Sequence, residues 1–315
     1  MEGLTRCWPR RRWSIRSLRR SHCGYHWASP STGYGPAYCL PTITKRAVLN
    51  RRRWWQLSLG GVSALAGATT AISQEPSGWP FQTSFGRFVL HADFNVDESP
   101  WPLREELERI DHQVTGLFHL ASPAGPIHVV VMHSEGAYQH YMRTYFPTVP
   151  ARRALFLRDR GPGMLFTYRH ESLLQDLRHE VTHAILNDGR KPLPLWLDEG
   201  IAEYFEPEES DRYSRNSYLS EILGELRQGR ITPIDQLVAI ETLDAFHDVH
   251  YRHSWAWVHF MMHRSPESRA LLIGYVRSYY TDPLFRLERA LATQFPDVQE
   301  ELRQHFSGVA AAQDE

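Results

Sequence analysis

The most constraining feature of this chain is the stretch "LRHEVTHAILN" at residues 177–187, which carries two histidines four positions apart. Its apolar residues recur at helical spacing, so the stretch is predicted to be a helix. On a helix, residues four apart lie one turn above each other on the same face. His179 and His183 can therefore point their imidazole rings at one cation. The alternative is an ordinary helix whose histidines face solvent.

A second helix is predicted just downstream, in "LPLWLDEGIAEYFE" at residues 193–206. It offers Glu199, separated from His183 by a gap of fifteen residues, as a third ligand. Two histidines and one carboxylate form a known ligand set for catalytic zinc, which leaves one position for water. Glu203 follows one turn later and is predicted to accept a hydrogen bond from the far nitrogen of a ligating histidine. Asp198 points about 100° away from Glu199, so it is not predicted to bind the same ion.

The residue after the first histidine, Glu180, has a chemical role in the H-E-x-x-H pattern. In zinc enzymes with this motif the glutamate does not bind the ion but removes a proton from a water on the metal. Glu180 is therefore predicted to be the general base. Hydrolysis of an amide also needs a donor for the developing oxyanion, and "HDVHYRHSW" at 247–255 offers Tyr251 first and His253 second. The structural alternative is that Tyr251 packs its ring on Trp255.

Composition and charge restrict the class of protein. The chain has 315 residues, of which 42% are hydrophobic, so it can bury a sizeable core. The overall charge is only −1, but residues 1–55 carry twelve basic residues and a single acid, so the remainder is strongly acidic. An acidic body repels polyphosphate, which argues against nucleic acid as a partner. All three cysteines lie before residue 40, which excludes thiol chemistry from the body.

The front of the chain resembles an export signal. Residues 1–75 are predicted to be a basic, disordered N-terminus with a signal-like segment at about 50–71. The run from Arg51 to Arg53, followed by two tryptophans, is similar to a twin-arginine signal, with cleavage expected after Ala71. The chain is then expected in the periplasm or outside the cell. An uncleaved segment acting as a membrane anchor, and a basic arm for nucleic acid or membrane surface, remain as alternatives.

The remaining pattern predicts an α+β fold, with one domain at 80–310. A small mixed sheet with helices is expected over 85–170, and an all-helical part over 171–310. Strands are predicted at 87–94, at 126–134 and on both sides of the turn "RGPG". His259 and His263 also stand four apart, but without a glutamate between them they are predicted to be structural.

"HEVTH" followed by "WLDEGIAEYFE" resembles the gluzincin zinc peptidases, and residues of about 85–300 are similar to uncharacterised exported proteins of the peptidase-MA-like kind. The resemblance implies a thermolysin-like core, Zn²⁺ held by His179, His183 and Glu199, Glu180 as general base, and a peptide or protein substrate. Its specific motifs occupy only 179–205.

Two departures from the aminopeptidase pattern bear on activity. The gap before Glu199 is shorter than in those enzymes, and no G-A-M-E-N-like segment precedes the motif. An endopeptidase is therefore expected. A non-catalytic zinc-binding module and a zinc amidase acting on cell-wall material are the alternatives.

Overall fold

The structure is a computed structural model and describes residues 78–120, 125–150, 152–158, 161–187, 192–279, 282 and 285–312. The basic N-terminus, its signal-like segment and the three cysteines lie outside these residues, so the expectations about them stay predictions. Within the described ranges, no helix combines the length and the apolar character that crossing a bilayer requires.

A five-stranded mixed sheet forms the first part of the described chain. Its strands are β1 (Phe81–Phe85), β2 (Phe88–Ala92), β3 (Ile127–Met132), β4 (Ala154–Leu157) and β5 (Gly163–Tyr168). The order across the sheet is β1-β2-β3-β5-β4. The central strands β2, β3 and β5 are parallel, and both edge strands pair antiparallel. The predicted strands are therefore found, while β1 lies ahead of the predicted start at residue 85.

Helices cover both faces of this sheet. On one face, Val129, Val131 and Leu165 belong to a core that includes α1 (Leu103–Phe118) and α3 (Leu173–Leu186). On the other face, alternate residues of the same strands pack against α2 (Glu135–Tyr145) in an aromatic cluster. Successive side chains of a strand point to opposite faces, which explains how one strand serves both cores.

The rest of the described chain is helical, as predicted. It comprises α3, α4 (Leu195–Phe205), α5 (Leu219–Arg227), α6 (Ile234–Val238), α7 (Asp248–His263), α8 (Pro266–Ser278), α9 (Leu287–Gln294) and α10 (Val298–Ala311). Their apolar faces extend the core on the α1 and α3 side of the sheet. A mixed sheet with helices comes first along the described chain and helices alone follow it, which matches the expected α+β arrangement.

Helices α4 and α7 cross at a glycine. A Cβ built on Gly200 would lie 2.7 Å from the carbonyl oxygen of Ser254 and 3.0 Å from Cγ2 of Val258. A backbone oxygen at that distance cannot move aside as a flexible side chain could, so only glycine permits this approach. The crossing is adjacent to Glu199 on α4 and one turn from Tyr251 on α7, and it therefore fixes the distance between these two residues.

Gly200→Ala should lower the free energy of unfolding by about 1–3 kcal/mol, because the methyl group overpacks the crossing. Gly274→Ala is the matched control, since Gly274 is an exposed helical glycine with nothing within 4 Å of a built Cβ. It should instead gain about 0.5–1 kcal/mol from the better helix propensity of alanine. Urea unfolding of both variants checks the prediction, and equal stability of Gly200→Ala and the parent protein would contradict it.

Candidate metal centre

Three acceptor atoms converge between α3 and α4. The Nε2 atoms of His179 and His183 are 3.2 Å apart, and Oε2 of Glu199 lies 3.7 Å from the first and 3.3 Å from the second. A tetrahedral zinc ion with bonds of about 2.0–2.1 Å holds its ligand atoms about 3.3–3.4 Å apart. The three measured separations bracket that value, so the donor set fits a tetrahedral ion with a fourth position left open. This group is one of two His/Glu sets in the described residues that could hold a metal.

The hydrogen bonds made by the Nδ1 atoms of His179 and His183 determine that Nε2 of each ring faces the centre. Nδ1 of His183 lies 3.2 Å from Asp198, and Nδ1 of His179 lies 3.0 Å from Glu206. An ionised carboxylate can only accept, so in each pair the ring N–H donates outward. A cation at the centre that displaces the proton from Nε2 would then receive the Nε2 lone pair of each ring. Three lone pairs directed at one point require positive charge there.

Helices α3 and α4 supply these contacts because they run in opposite directions. Asn187, at the end of α3, donates to Asp198 over 3.0 Å, and Gln175, in the first turn of α3, donates to Glu206 at the end of α4. Asp198 and Glu206, which accept from the two histidines, are thus themselves fixed by hydrogen bonds. This second layer restricts the orientation of both rings before any ion binds.

The pKa values of the ionisable groups in this cluster are strongly shifted. Burial lowers the pKa of His183, but Asp198 and Glu199 outweigh burial and raise it to about 10. Burial would raise the pKa of Glu199, yet His183 and His179 lower it well below its ordinary value. Both shifts reflect the attraction between carboxylates and protonated rings, which favours the charged form of each group.

The position predicted for Glu203 needs a correction. Its carboxylate is buried in the same layer, within 4.8 Å of a ring nitrogen of His179. However, the partner of Nδ1 is Glu206, which lies beyond the last residue of α4. Burial raises the pKa of Glu203, and the neighbouring Glu206 and Glu199 add to the rise. Glu203 is therefore a third carboxyl group of this layer, and Glu206 takes the role that the sequence assigned to it.

Glu180 lies between α3 and the edge strand β4. Its Oε2 accepts the backbone N–H of Phe156 over 2.7 Å, and only 9% of the residue is exposed. The backbone amide can only donate this hydrogen bond. It therefore orients the Glu180 carboxylate and leaves the other carboxylate oxygen for a second partner. Glu180 is adjacent in sequence to His179 but is not part of either potential metal set.

Tyr251 lies on α7, and its pKa responds to the charges of Glu199 and Arg152. Burial raises the pKa of Tyr251 and Glu199 adds to the rise, whereas Arg152, which interacts with the hydroxyl, opposes it. Its ring packs edge-on against Phe246, 4.7 Å between centroids, and not on Trp255 as the structural alternative held. Arg152, two residues ahead of β4, is a neighbour of this site that sequence reasoning did not identify.

The other histidines of α7 lie away from the centre. His253 is fully buried and bonded to Thr232 and Glu225, so it cannot serve as the second oxyanion donor. His259 contacts His305 over 2.9 Å and the carbonyl oxygen of Tyr213 over 2.9 Å, and His263 contacts the hydroxyl of Tyr204. These contacts agree with the structural role predicted for His259 and His263.

Comparison with known proteins adds no family assignment. No protein-family model matches the chain, and no curated protein matches it significantly. The resemblance to gluzincins therefore rests on the motif residues alone.

Proposed function

We propose that this protein is an exported zinc-dependent peptidase, an endopeptidase of the gluzincin type. The observation that carries the proposal is the convergence of Nε2 of His179, Nε2 of His183 and Oε2 of Glu199 at separations of 3.2–3.7 Å. Export rests on the signal-like segment at about 50–71 alone.

Zinc is the ion that suits this donor set best. Two imidazoles and one carboxylate, with one open position, form a common catalytic zinc site, whereas magnesium and calcium prefer oxygen ligands only. When bound, zinc supplies a Lewis acid that polarises a carbonyl group and makes water a nucleophile at neutral pH. His179, His183 and Glu199 would hold it.

The edge strand supports an extended peptide as substrate. The N–H of Phe156 faces Glu180, so it points away from β5, with which β4 pairs. In an antiparallel pair the outward-facing residues alternate, and the backbone groups of Ala154 therefore point the same way. Because Glu180 already engages the N–H of Phe156, an extended chain that adds to this edge would use the backbone groups of Ala154 and the carbonyl group of Phe156. That would bring its peptide bonds alongside the metal ligands.

The remaining side chains have complementary tasks in this proposal. Glu180 accepts the proton of the attacking water and later donates it to the leaving amine, which balances the reaction. Tyr251 donates its hydroxyl to the oxygen that gains negative charge.

Metal analysis of the purified full-length chain tests the first part. We expect about one zinc per chain, and a loss of most of that zinc in His183→Ala, because a two-ligand site is incomplete. His140→Ala is the matched control, since His140 is an exposed histidine on α2, on the opposite face of the sheet. Zinc content that is equal in both variants would contradict the assigned site.

Substrate profiling tests the second part. The zinc-loaded protein should cleave members of a peptide library internally, lose activity on chelation and regain it when zinc is restored. Cleavage of muropeptides but not of peptides would favour the cell-wall amidase. Zinc binding without turnover of either class would favour the non-catalytic module.

A further inference from the structure

We propose that Arg178 is a positioning residue of the metal centre. Together with Glu106 on α1, it fixes the end of α4 so that the Glu206 carboxylate stays on the outer nitrogen of His179. The inference rests on the proposed metal centre and goes beyond it, because neither Arg178 nor Glu106 belongs to a potential metal set.

An unbroken series of contacts joins α1 to the candidate ligands through Arg178. Its Nη1 donates to Oε1 of Glu106 over 2.8 Å, and its Nε donates to the carbonyl oxygen of Glu206 over 2.6 Å. The Glu206 carboxylate accepts from Nδ1 of His179 over 3.0 Å. Arg178 and His179 are about 100° apart around α3, so adjacent residues of one helix contact the backbone and the side chain of Glu206.

Glu106 gives this series a fixed origin. Arg109, nearly one turn later on α1, contacts Oε2 of Glu106 over 2.9 Å, so both carboxylate oxygens are engaged. The neighbouring Leu107 and Ile110 are buried in the main core of the molecule. Arg178 is therefore attached to a helix that cannot shift without disturbing that core.

The position of Glu206 explains why such an attachment is needed. Glu206 is the C-cap residue of α4, and the last carbonyl groups of a helix have no partner inside the helix. Helix ends also fray. Arg178 supplies a donor to the carbonyl group of Glu206 itself. The backbone of the residue that accepts from His179 is thereby fixed at the point where α4 ends.

The burial of the ion pair supports positioning as its role. Arg178 is 6% exposed and Glu106 is 2% exposed. Taking two charges out of water costs free energy that their attraction offsets only in part, and apolar residues of similar volume often stabilise a protein as well or better. A guanidinium, however, presents its N–H donors in a rigid planar fork. The pair therefore contributes a defined orientation more than it contributes stability.

Two variants separate positioning from stability. Arg178→Met should weaken zinc binding by about 3- to 30-fold, the usual range for a residue that acts through another. It also leaves Glu106 buried with Arg109 as its partner, which lowers stability. The combined variant Arg178→Met with Glu106→Leu removes both buried charges. It should be more stable than Arg178→Met alone and lose as much zinc affinity.

Arg87→Met is the matched control. The Arg87 side chain is 7% exposed, against 8% for Arg178, and it pairs with Asp111 on α1 over 3.0 Å. Arg87→Met should lower stability in urea unfolding but keep zinc affinity within about threefold of the parent protein. Chelator competition at one fixed pH measures the affinities. Unchanged affinity in both Arg178 variants, or an equal loss in Arg87→Met, would overturn the proposal.

A double-mutant cycle tests the route through Glu206. Two groups that act through the same contact have effects that do not add. Arg178→Met combined with Glu206→Gln should therefore bind zinc about as weakly as Glu206→Gln alone. Additive losses would overturn the proposal, because they would place the effect of Arg178 in the fold and not in the hydrogen bond to His179.

Nuclear magnetic resonance of the metal-free protein gives a readout that needs neither zinc nor turnover. The Nδ1–H proton of His179, bonded to Glu206, should resonate downfield, and its absence in His179→Ala assigns it. Arg178→Met should broaden or abolish this signal, whereas Arg87→Met should preserve it. An unchanged signal in Arg178→Met would overturn the positioning role. Loss of the signal in a protein that binds no zinc would instead overturn the metal centre alone.

Discussion

Glu180→Gln should reduce kcat/KM for peptide hydrolysis by roughly 10²- to 10⁴-fold, the usual contribution of a general acid–base group. Glutamine has nearly the same shape and can still accept the N–H of Phe156, which Oε2 of Glu180 accepts over 2.7 Å. It cannot take up a proton. The variant should therefore keep the local structure and the bound zinc and lose only the proton transfer.

Steady-state kinetics and metal analysis on the same preparations check this expectation. Glu171→Gln is the matched control, because Glu171 is an exposed glutamate just ahead of α3 and has no contact with the candidate ligands. It should behave like the parent protein. Full activity in Glu180→Gln would remove Glu180 from its assigned role, and loss of zinc would mean that the substitution had damaged the site itself.

Local patterns were sufficient to predict most of the secondary structure. The helices predicted at 177–187 and 193–206 are present as α3 at Leu173–Leu186 and α4 at Leu195–Phe205, and the part predicted to be all-helical is helical, because apolar residues recur there at helical spacing. Strand β1 was missed, since Phe81–Phe85 alternates weakly and only one of its residues is buried. The order of the strands and the crossing at Gly200 depend on contacts that are distant in sequence, which periodicity does not report.

The residues of the candidate site also divide into those that local patterns predicted and those that they did not. His179, His183 and Glu199 lie on two successive helices, so helix geometry alone brings them near one point. Glu206 was within reach of the same reasoning. Seven residues are close to two full turns, so Glu206 lies only about 20° out of phase with Glu199, whereas the residue four positions on is about 40° out of phase. The sequence analysis assigned the role to Glu203, which is one turn from Glu199. Glu206 is two turns away but closer to Glu199 in helical phase.

Arg152 could not have been found by such arguments. It has no periodic partner, and it lies 99 positions before Tyr251 in the sequence. Its relevance depends on the sheet order, which places β4 at the edge next to α3, and on the close crossing that brings α7 to the cluster. The relevance of such a residue becomes visible only when the tertiary structure is known.

The outer carboxylates give the second large expected effect. Asp198→Asn and Glu206→Gln should each weaken zinc binding by about 10- to 100-fold, as is typical for groups that hold a ligating histidine. Each carboxylate lies 3.0–3.2 Å from an Nδ1 atom, and it makes the ring a stronger donor to the metal. The neutral amide can still accept that hydrogen bond but supplies no charge.

Glu203→Gln is the matched control for this pair, since Glu203 is buried on the same helix yet makes no hydrogen bond to His179 within the described structure. Its zinc affinity should stay within about threefold of the parent protein. Competition with a chromophoric chelator at one fixed pH measures all three variants, because protons compete with zinc for the imidazoles. A larger loss in Glu203→Gln than in Glu206→Gln would restore Glu203 to the role predicted from the sequence. It would also mean that the ring of His179 turns when the metal binds, so that Nδ1 changes its partner.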